Sequence, residues 1–306
     1  MSLLVVGTVA YDTIETPYGK EEMVVGGSAL YIGYSASYFV NDIKMVSIIG
    51  DDFSGKELKD MKNRGIDLDG IKVVKGGKSF FWAGKYHDDL NGRDTLITDL
   101  NVLADFDPML PSHYKDSKYI LLGNLTPDIQ ISVLDQLNGK TELVVLDTMT
   151  YWIKNTPDKL EEVLIRIDVL TINDEEARML SGEGSLVMAA EKILAMGPTF
   201  LVIKKGEHGA LLFHGEKAFF APALPLHKVI DPTGAGDCFA GGFIGYLAKT
   251  KELSFENMKR AIIHGSAMAS FCVEDFGNHR IKAVEQKDIK SRLKKFSELT
   301  QFSLDI

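Results

Sequence analysis

Short β-branched or aliphatic runs alternate along the chain with longer amphipathic stretches. The runs Leu3–Val6, Lys44–Ile49, Tyr119–Leu122, Leu143–Asp147, Val169–Ile172, Thr199–Lys204 and Ala210–Phe213 predict buried strands. The stretches Ala29–Phe39, Gly55–Arg64, Asp128–Leu137, Pro157–Arg166, Glu175–Leu180, Leu186–Met196, Asp237–Lys249, Phe255–Val273 and Lys287–Thr300 predict helices. Strands that alternate with helices imply βαβ units and a mainly parallel sheet covered on both faces. Right-handed crossovers then stack an α/β chain of this kind as a three-layer α/β/α sandwich.

Two regions break the rhythm, residues 9–25 and roughly 71–103. They hold the β-type segments Met23–Val25, Ile71–Val74, Ser79–Tyr86 and Thr95–Asn101, with the turn dipeptides Gly76-Gly77 and Asn91-Gly92 nearby. An antiparallel flap, discontinuous in sequence, is predicted there. No internal repeat or low-complexity linker interrupts the rest, so residues 1–306 read as one domain carrying a lid.

Composition narrows the classes. Hydrophobic residues at 45% and charged residues at 25% exclude disorder and small disulfide scaffolds. The formal net charge of −9 disfavours a nucleic-acid partner, although a local cluster of amides and a lysine can still hold a nucleotide. No apolar run reaches the roughly 20 residues of a membrane helix, and the first residues lack a basic n-region, so neither a membrane nor a signal peptide is expected. Two cysteines, Cys238 and Cys272, without metal-ligand spacing fit a reducing cytoplasm.

The segment Asp231-Pro232-Thr233-Gly234-Ala235-Gly236-Asp237 precedes an apolar helix. Its glycines let main-chain amides turn toward one point, and amides at a helix start form an anion site. Asp237 falls in the first turn beside that anion. A carboxylate there makes sense where it accepts a proton from a nucleophile attacking phosphorus. The plainer reading is an acidic helix cap after a glycine turn.

This segment resembles the second signature of the PfkB (ribokinase-like) carbohydrate kinases. The resemblance extends to Gly7 and Asp12, the pair Gly26-Gly27, the turn Gly50-Asp51-Asp52-Phe53-Ser54-Gly55, Asn173-Asp174-Glu175-Glu176 and Lys204-Lys205-Gly206-Glu207-His208-Gly209. It implies a ribokinase-like fold and an ATP- and Mg2+-dependent kinase acting on a hydroxyl, a hydroxymethyl by preference, of a sugar or ribonucleoside. Asp237 would be the base, with the amides of Gly234, Ala235, Gly236 and Asp237 as the anion hole. Loose phosphoryl transition states need such alignment and charge stabilisation more than covalent help.

The resemblance implies further roles. Asn173, Glu176, Lys204, Gly206, Gly209 and Thr233 would lie on the nucleotide side, with Glu176 reaching magnesium through water. Asn173 also reads as a helix N-cap, and Lys204 as a strand-end lysine. Asp12, Gly26, Gly27, Ser28, Tyr31 and Asn124 would lie on the acceptor side. A monovalent cation beside the anion hole is left open, as is a homodimer through the lid.

One departure stands out. The first signature usually carries an asparagine where this chain has Tyr31. Tyr31, with Phe80, Phe81, Trp82 and Tyr86 of the flap, offers aromatic faces that suit a nucleobase or a sugar ring. Ribonucleoside and free sugar stay open as acceptors. Arg93 reads as a solvated turn residue, Lys205 as a solvated charge, Asp147 as structural and His264 as packed in its helix. The P-loop mimic Gly50-x-x-x-x-Gly55-Lys56 fails because Glu57 stands where Ser or Thr must hold magnesium. A non-catalytic sugar or nucleotide sensor is the rival reading. A hydride-transfer enzyme is more distant, since no Gly-x-Gly-x-x-Gly follows Val6.

Overall fold

Alternate residues of the first strand, β1 (Ser2–Val6), serve different cores. Leu3 and Val5 join one hydrophobic cluster, Leu4 and Val6 the other. This is the signature of a strand buried on both faces. The computed structural model describes residues 2–301; Met1 and residues 302–306, the ends of the range read as one domain, lie outside the described residues.

The N-terminal half continues with β2 (Ala10–Thr16), β3 (Gly19–Gly26), α1 (Ser28–Ala36), β4 (Asp42–Gly50), α2 (Gly55–Asn63), β5 (Ile66–Val74), β6 (Phe80–Tyr86) and β7 (Arg93–Asp99). Next come β8 (Tyr119–Leu122), α3 (Pro127–Asp135), β9 (Leu143–Asp147), α4 (Thr150–Asn155), α5 (Pro157–Leu164), β10 (Val169–Asn173), α6 (Asp174–Ser181) and α7 (Leu186–Ala195). The chain ends with β11 (Phe200–Lys204), β12 (Ala210–His214), β13 (Lys217–Ala221), α8 (Ala235–Thr250), α9 (Phe255–Cys272), α10 (His279–Ala283) and α11 (Gln286–Thr300).

Among the described residues the large sheet has nine strands in the order β13-β12-β11-β10-β9-β8-β1-β4-β5. The strands from β11 to β5 pair in parallel, while β12 and β13 close one edge in antiparallel fashion. Helices α1, α2, α8, α9, α10 and α11 cover one face; α3, α5, α6 and α7 cover the other. The result is a three-layer α/β/α sandwich. Open sheets of this type gather ligands at the C-terminal ends of their strands.

The lid is a second sheet, ordered β3-β2-β6-β7. Two antiparallel hairpins, β2–β3 and β6–β7, meet through the parallel pair β2–β6. Residues 71–74, read with the lid from sequence, extend β5 instead, because Ile71–Val74 continue its ladder with β4. The lid is rooted in the turn after β4. Asp52 Oδ1 accepts bonds from Ser79 N (2.9 Å) and Ser79 Oγ (2.7 Å), and Tyr11 Oη accepts one from Ser54 N (2.9 Å).

Helix α8 carries the candidate anion site and is held tightly. A side chain at Gly241 would begin 2.5 Å from the Ile32 carbonyl oxygen on α1, and one at Gly242 would begin 2.7 Å from Met268 on α9. These close approaches fit α8 between its neighbours. Phe243, Ile244 and Leu247 are fully buried in the same contact, each worth about 1.5–3 kcal/mol relative to exposure.

Candidate active site

The turn before α8 is built from its own first residue. Asp231 is wholly buried, and burial raises its pKa. Its Oδ1 accepts Thr233 N at 2.8 Å and its Oδ2 accepts Gly277 N at 2.9 Å, tying the turn to the segment after α9. Gly234 caps α8 at φ 76, and a side chain there would begin 2.6 Å from the Tyr31 ring. Only glycine meets both demands without strain. The helix starts at Ala235, placing Asp237 in its first turn.

Asp237 is half-buried and sits among charges. Burial, reinforced by Asp147, pushes its carboxyl up to about 7, while Lys204 and Arg93 pull the other way. Asp12, on β2, is buried and also pushed up to about 7. Desolvation is the main cause, followed by the charges of Asp231 and Asp237, against Arg93 and the Gly27 amide. Gly26 leaves room for it, since a side chain there would begin 2.0 Å from Asp12 Oδ2. The lid carboxyl thus lies within electrostatic reach of the one on the helix.

A second polar cluster lies at the C-terminal ends of β9, β10 and β11. Lys204 Nζ meets Asp147 Oδ2 at 2.6 Å, and a side chain on Gly236 would begin 3.2 Å from that same nitrogen. The lysine is therefore beside the first turn of α8. Asp147, read as structural from sequence, belongs to this cluster; it also accepts Thr171 Oγ1 at 3.0 Å. Asn173 and Glu176 form a reciprocal capping box on α6: Glu176 N donates to Asn173 Oδ1 (2.8 Å) and Asn173 N to Glu176 Oε2 (2.9 Å). The other Glu176 oxygen accepts Thr150 N at 3.2 Å, and burial raises the pKa of this carboxyl. Gly206 and Gly209 bound the tight turn between β11 and β12, at the same edge of the sheet.

Asp147 and Glu176 offer hard oxygen donors, the kind Mg2+ prefers. Among the described residues, their carboxylates and that of Asp237 are not gathered into a ready three-ligand cluster.

Several residues stand elsewhere than the sequence suggested. Tyr31 is 1% exposed, with its ring under Gly234, so it offers no open face to a ligand. It supports the turn from below, and its hydroxyl has no partner. Ser28 is turned inward: its Oγ accepts Thr8 N at 3.0 Å, tying α1 to the loop after β1. Asn124 spends its amide on neighbours, accepting Trp152 Nε1 at 2.9 Å and facing Met149 Sδ at 3.1 Å. His264, by contrast, is packed on its helix as read, stacking on Tyr246 with ring centroids 3.9 Å apart.

Arg93 is no free turn residue. It opens β7, its guanidinium lies over the Trp82 ring (5.6 Å) and the Tyr86 ring (5.9 Å), and its charge reaches Asp12 and Asp237. The register explains why: Trp82 is paired with Asp12, and Tyr86 with Arg93, which sets these side chains on one face of the lid. A basic residue directly across from a lid aromatic was the available signal. For Asp147 the signal was its place at the end of a parallel strand.

The sequence pattern described as pfkB family carbohydrate kinase matches residues 1–282. The chain belongs to this family. It is similar to the cytidine kinase of Thermococcus kodakarensis, at 31% identity over 259 residues, 83% of this chain and 91% of the relative. Its fold is that of the Burkholderia thailandensis nucleoside kinase in complex with inosine (TM-score 0.76, 21% identity, 96% of this chain and 98% of that one). The putative ribokinase II of E. coli in complex with ATP and Mg2+ is equally similar in fold (TM-score 0.77, 17% identity, 96% of this chain and 99% of that one). As a PfkB kinase the protein is a phosphotransferase of the nucleoside and sugar kinase group, and kinases of this family use ATP and Mg2+. Among the described residues no helix is long and apolar enough to cross a membrane.

Proposed function

We propose that this PfkB kinase transfers the γ-phosphoryl group of ATP to a hydroxymethyl group of a ribonucleoside. The observation that carries the proposal is the placement of Asp237 in the first turn of α8, beside Lys204 and within electrostatic reach of Asp12 on the lid. The acceptor lies between Asp12, Gly26, Gly27 and Asp237. Asp12 accepts hydrogen bonds from its ring hydroxyls. Asp237 orients the attacking hydroxyl and receives its proton as the new O–P bond forms. The bridging O–P bond breaks, and ADP leaves with that electron pair. The amides of Gly234, Ala235, Gly236 and Asp237 hold the transferring group, a preorganised arrangement that needs no reorganisation during the reaction.

Lys204 meets the nucleotide's phosphates as a point charge, steadied by Asp147. Asp147 and Glu176 would hold Mg2+ through water, and the bound ion supplies charge neutralisation on the phosphates. Thr233, Gly206 and Gly209 line the nucleotide side. Arg93 and the lid cover the acceptor and keep water, the competing nucleophile, away.

Similarity to the Thermococcus cytidine kinase favours a nucleoside acceptor. One observation favours a free sugar as the second reading: Arg93 already occupies the faces of Trp82 and Tyr86, leaving less bare ring for a base. ADP release over a panel of nucleosides, pentoses, hexoses and inositols separates the two. The proposal expects the highest kcat/KM with a ribonucleoside; a pentose outperforming every nucleoside would replace it with the sugar reading.

Two copies are proposed to pair through the lid. β7 is an edge strand, exposed along its whole length, with Leu96 and Ile97 in the open. Such an edge invites a second strand. A dimer by light scattering supports the pairing, and a monomer at working concentration rejects it.

A further inference from the structure

A polar contact joins the lid to the turn before α8. Tyr86, on β6, places its hydroxyl 3.0 Å from Thr233 Oγ1, across 147 positions of sequence. Tyr86 is buried, and its ring is one of three buried residues, with Ile14 and Val24, that form the lid's own small core. Ring and hydroxyl therefore serve two tasks that a Tyr86→Phe substitution separates.

A second thread runs beside the first. Phe276 packs against the lid core, and the next residue, Gly277, donates its amide to Asp231 Oδ2 at 2.9 Å. Asp231 Oδ1 in turn holds the amide of Thr233 at 2.8 Å. Thr233 is thus fixed through its main chain by Asp231 and through its side chain by Tyr86. Gly234, the first residue of the proposed anion hole, follows directly.

We propose that Tyr86 is a positioning residue that couples the lid to the phosphoryl-binding turn. With the β6–β7 hairpin docked, the Tyr86–Thr233 bond sets the amides of residues 234–237; with the hairpin away, that support is lost. Acceptor bound beneath the lid thereby prepares the turn for transfer. The inference rests on the kinase reading above and adds a residue whose hydroxyl acts through Thr233.

The test compares wild type, Tyr86→Phe, Thr233→Val and the double variant by steady-state kinetics and by hydrogen exchange of the full chain. Each single variant is expected to lose about five- to tenfold in kcat, the size of one hydrogen bond; KM for ATP should stay within about twofold in Tyr86→Phe, whereas Thr233→Val also alters the nucleotide side. The double variant should lose no more kcat than Thr233→Val alone, because both lack the same bond. The amides of Thr233 and Ala235, bonded to Asp231 Oδ1 and the Pro232 carbonyl, should exchange faster in Tyr86→Phe while those of α9 do not. An unchanged kcat, or losses that multiply in the double variant, overturns the coupling. If the wild type turns over no member of the acceptor panel, the kinase reading fails, and the exchange rates still decide the coupling: equal protection at the Thr233 and Ala235 amides refutes it.

Discussion

Lys204 reaches across the intervening strand β10 to place its Nζ 2.6 Å from Asp147 Oδ2, directly beside the first turn of α8. Both side chains are mostly buried, so each depends on the other. Lys204→Met should lower kcat/KM for ATP by about 10- to 100-fold, the range of a hydrogen bond to a charged group. Asp147→Asn leaves a buried ammonium without its counter-charge and should cost a few kcal/mol of stability. The double variant should regain part of that loss, measured by chemical denaturation. Additive losses would show that the two groups do not act as a pair.

Arg93 bears on the pH profile. Burial holds Asp237 up near 7, and the guanidinium opposes that rise. Activity should fall as pH drops through about 7, because a protonated Asp237 cannot receive a proton. Arg93→Met should move this acid limb to higher pH, by about half a unit for a partly screened neighbouring charge. A limb that stays in place would remove Arg93 from the electrostatics of the base.

Asp12 links function to stability. Its folded pKa, about 7, lies above the ordinary value of 3.8 expected when unfolded. The folded state thus binds the proton more tightly, and stability falls as pH rises from about 4 to about 7. Above that range the buried charge carries its full penalty. Asp12→Asn should therefore raise Tm by a few degrees at pH 8, by clearly less at pH 5, and not at all near pH 3. An equal gain at all three pH values would mean that the ionised carboxylate is not the source. The same variant should lose acceptor affinity.

Tyr31 carries a buried hydroxyl without a partner. Leaving such a group unpaired costs about 1–3 kcal/mol. Tyr31→Phe keeps the ring under Gly234 and should raise stability by about 1 kcal/mol, with KM for the acceptor unchanged. A raised KM would show that the hydroxyl meets the acceptor.

Much of this architecture was legible in the chain. Period-two and period-3.6 patterns marked the βαβ body because both sheet faces are buried, and the glycine turn at 231–237 announced a helix start that α8 provides. The rest depends on tertiary placement. Asp147 looked structural because its meeting with Lys204 follows from the strand order β9-β10-β11, which no local pattern encodes. Arg93 is exposed as read, and its place above Trp82 and Tyr86, which no local pattern shows, follows from the β6–β7 register. Ser28 sat between a glycine pair and a helix, the place of a ligand-facing hydroxyl, yet Thr8 takes its oxygen. Tyr31 read as a ligand face because the space beneath Gly234 is created only when α8 docks on α1.

The most direct measurement is ADP release by Asp237→Asn beside the wild type, with ATP binding followed on the same samples. General-base catalysis contributes about 10²- to 10⁴-fold. The account predicts a loss of turnover in that range with nucleotide affinity retained. Turnover equal to that of the wild type would contradict it.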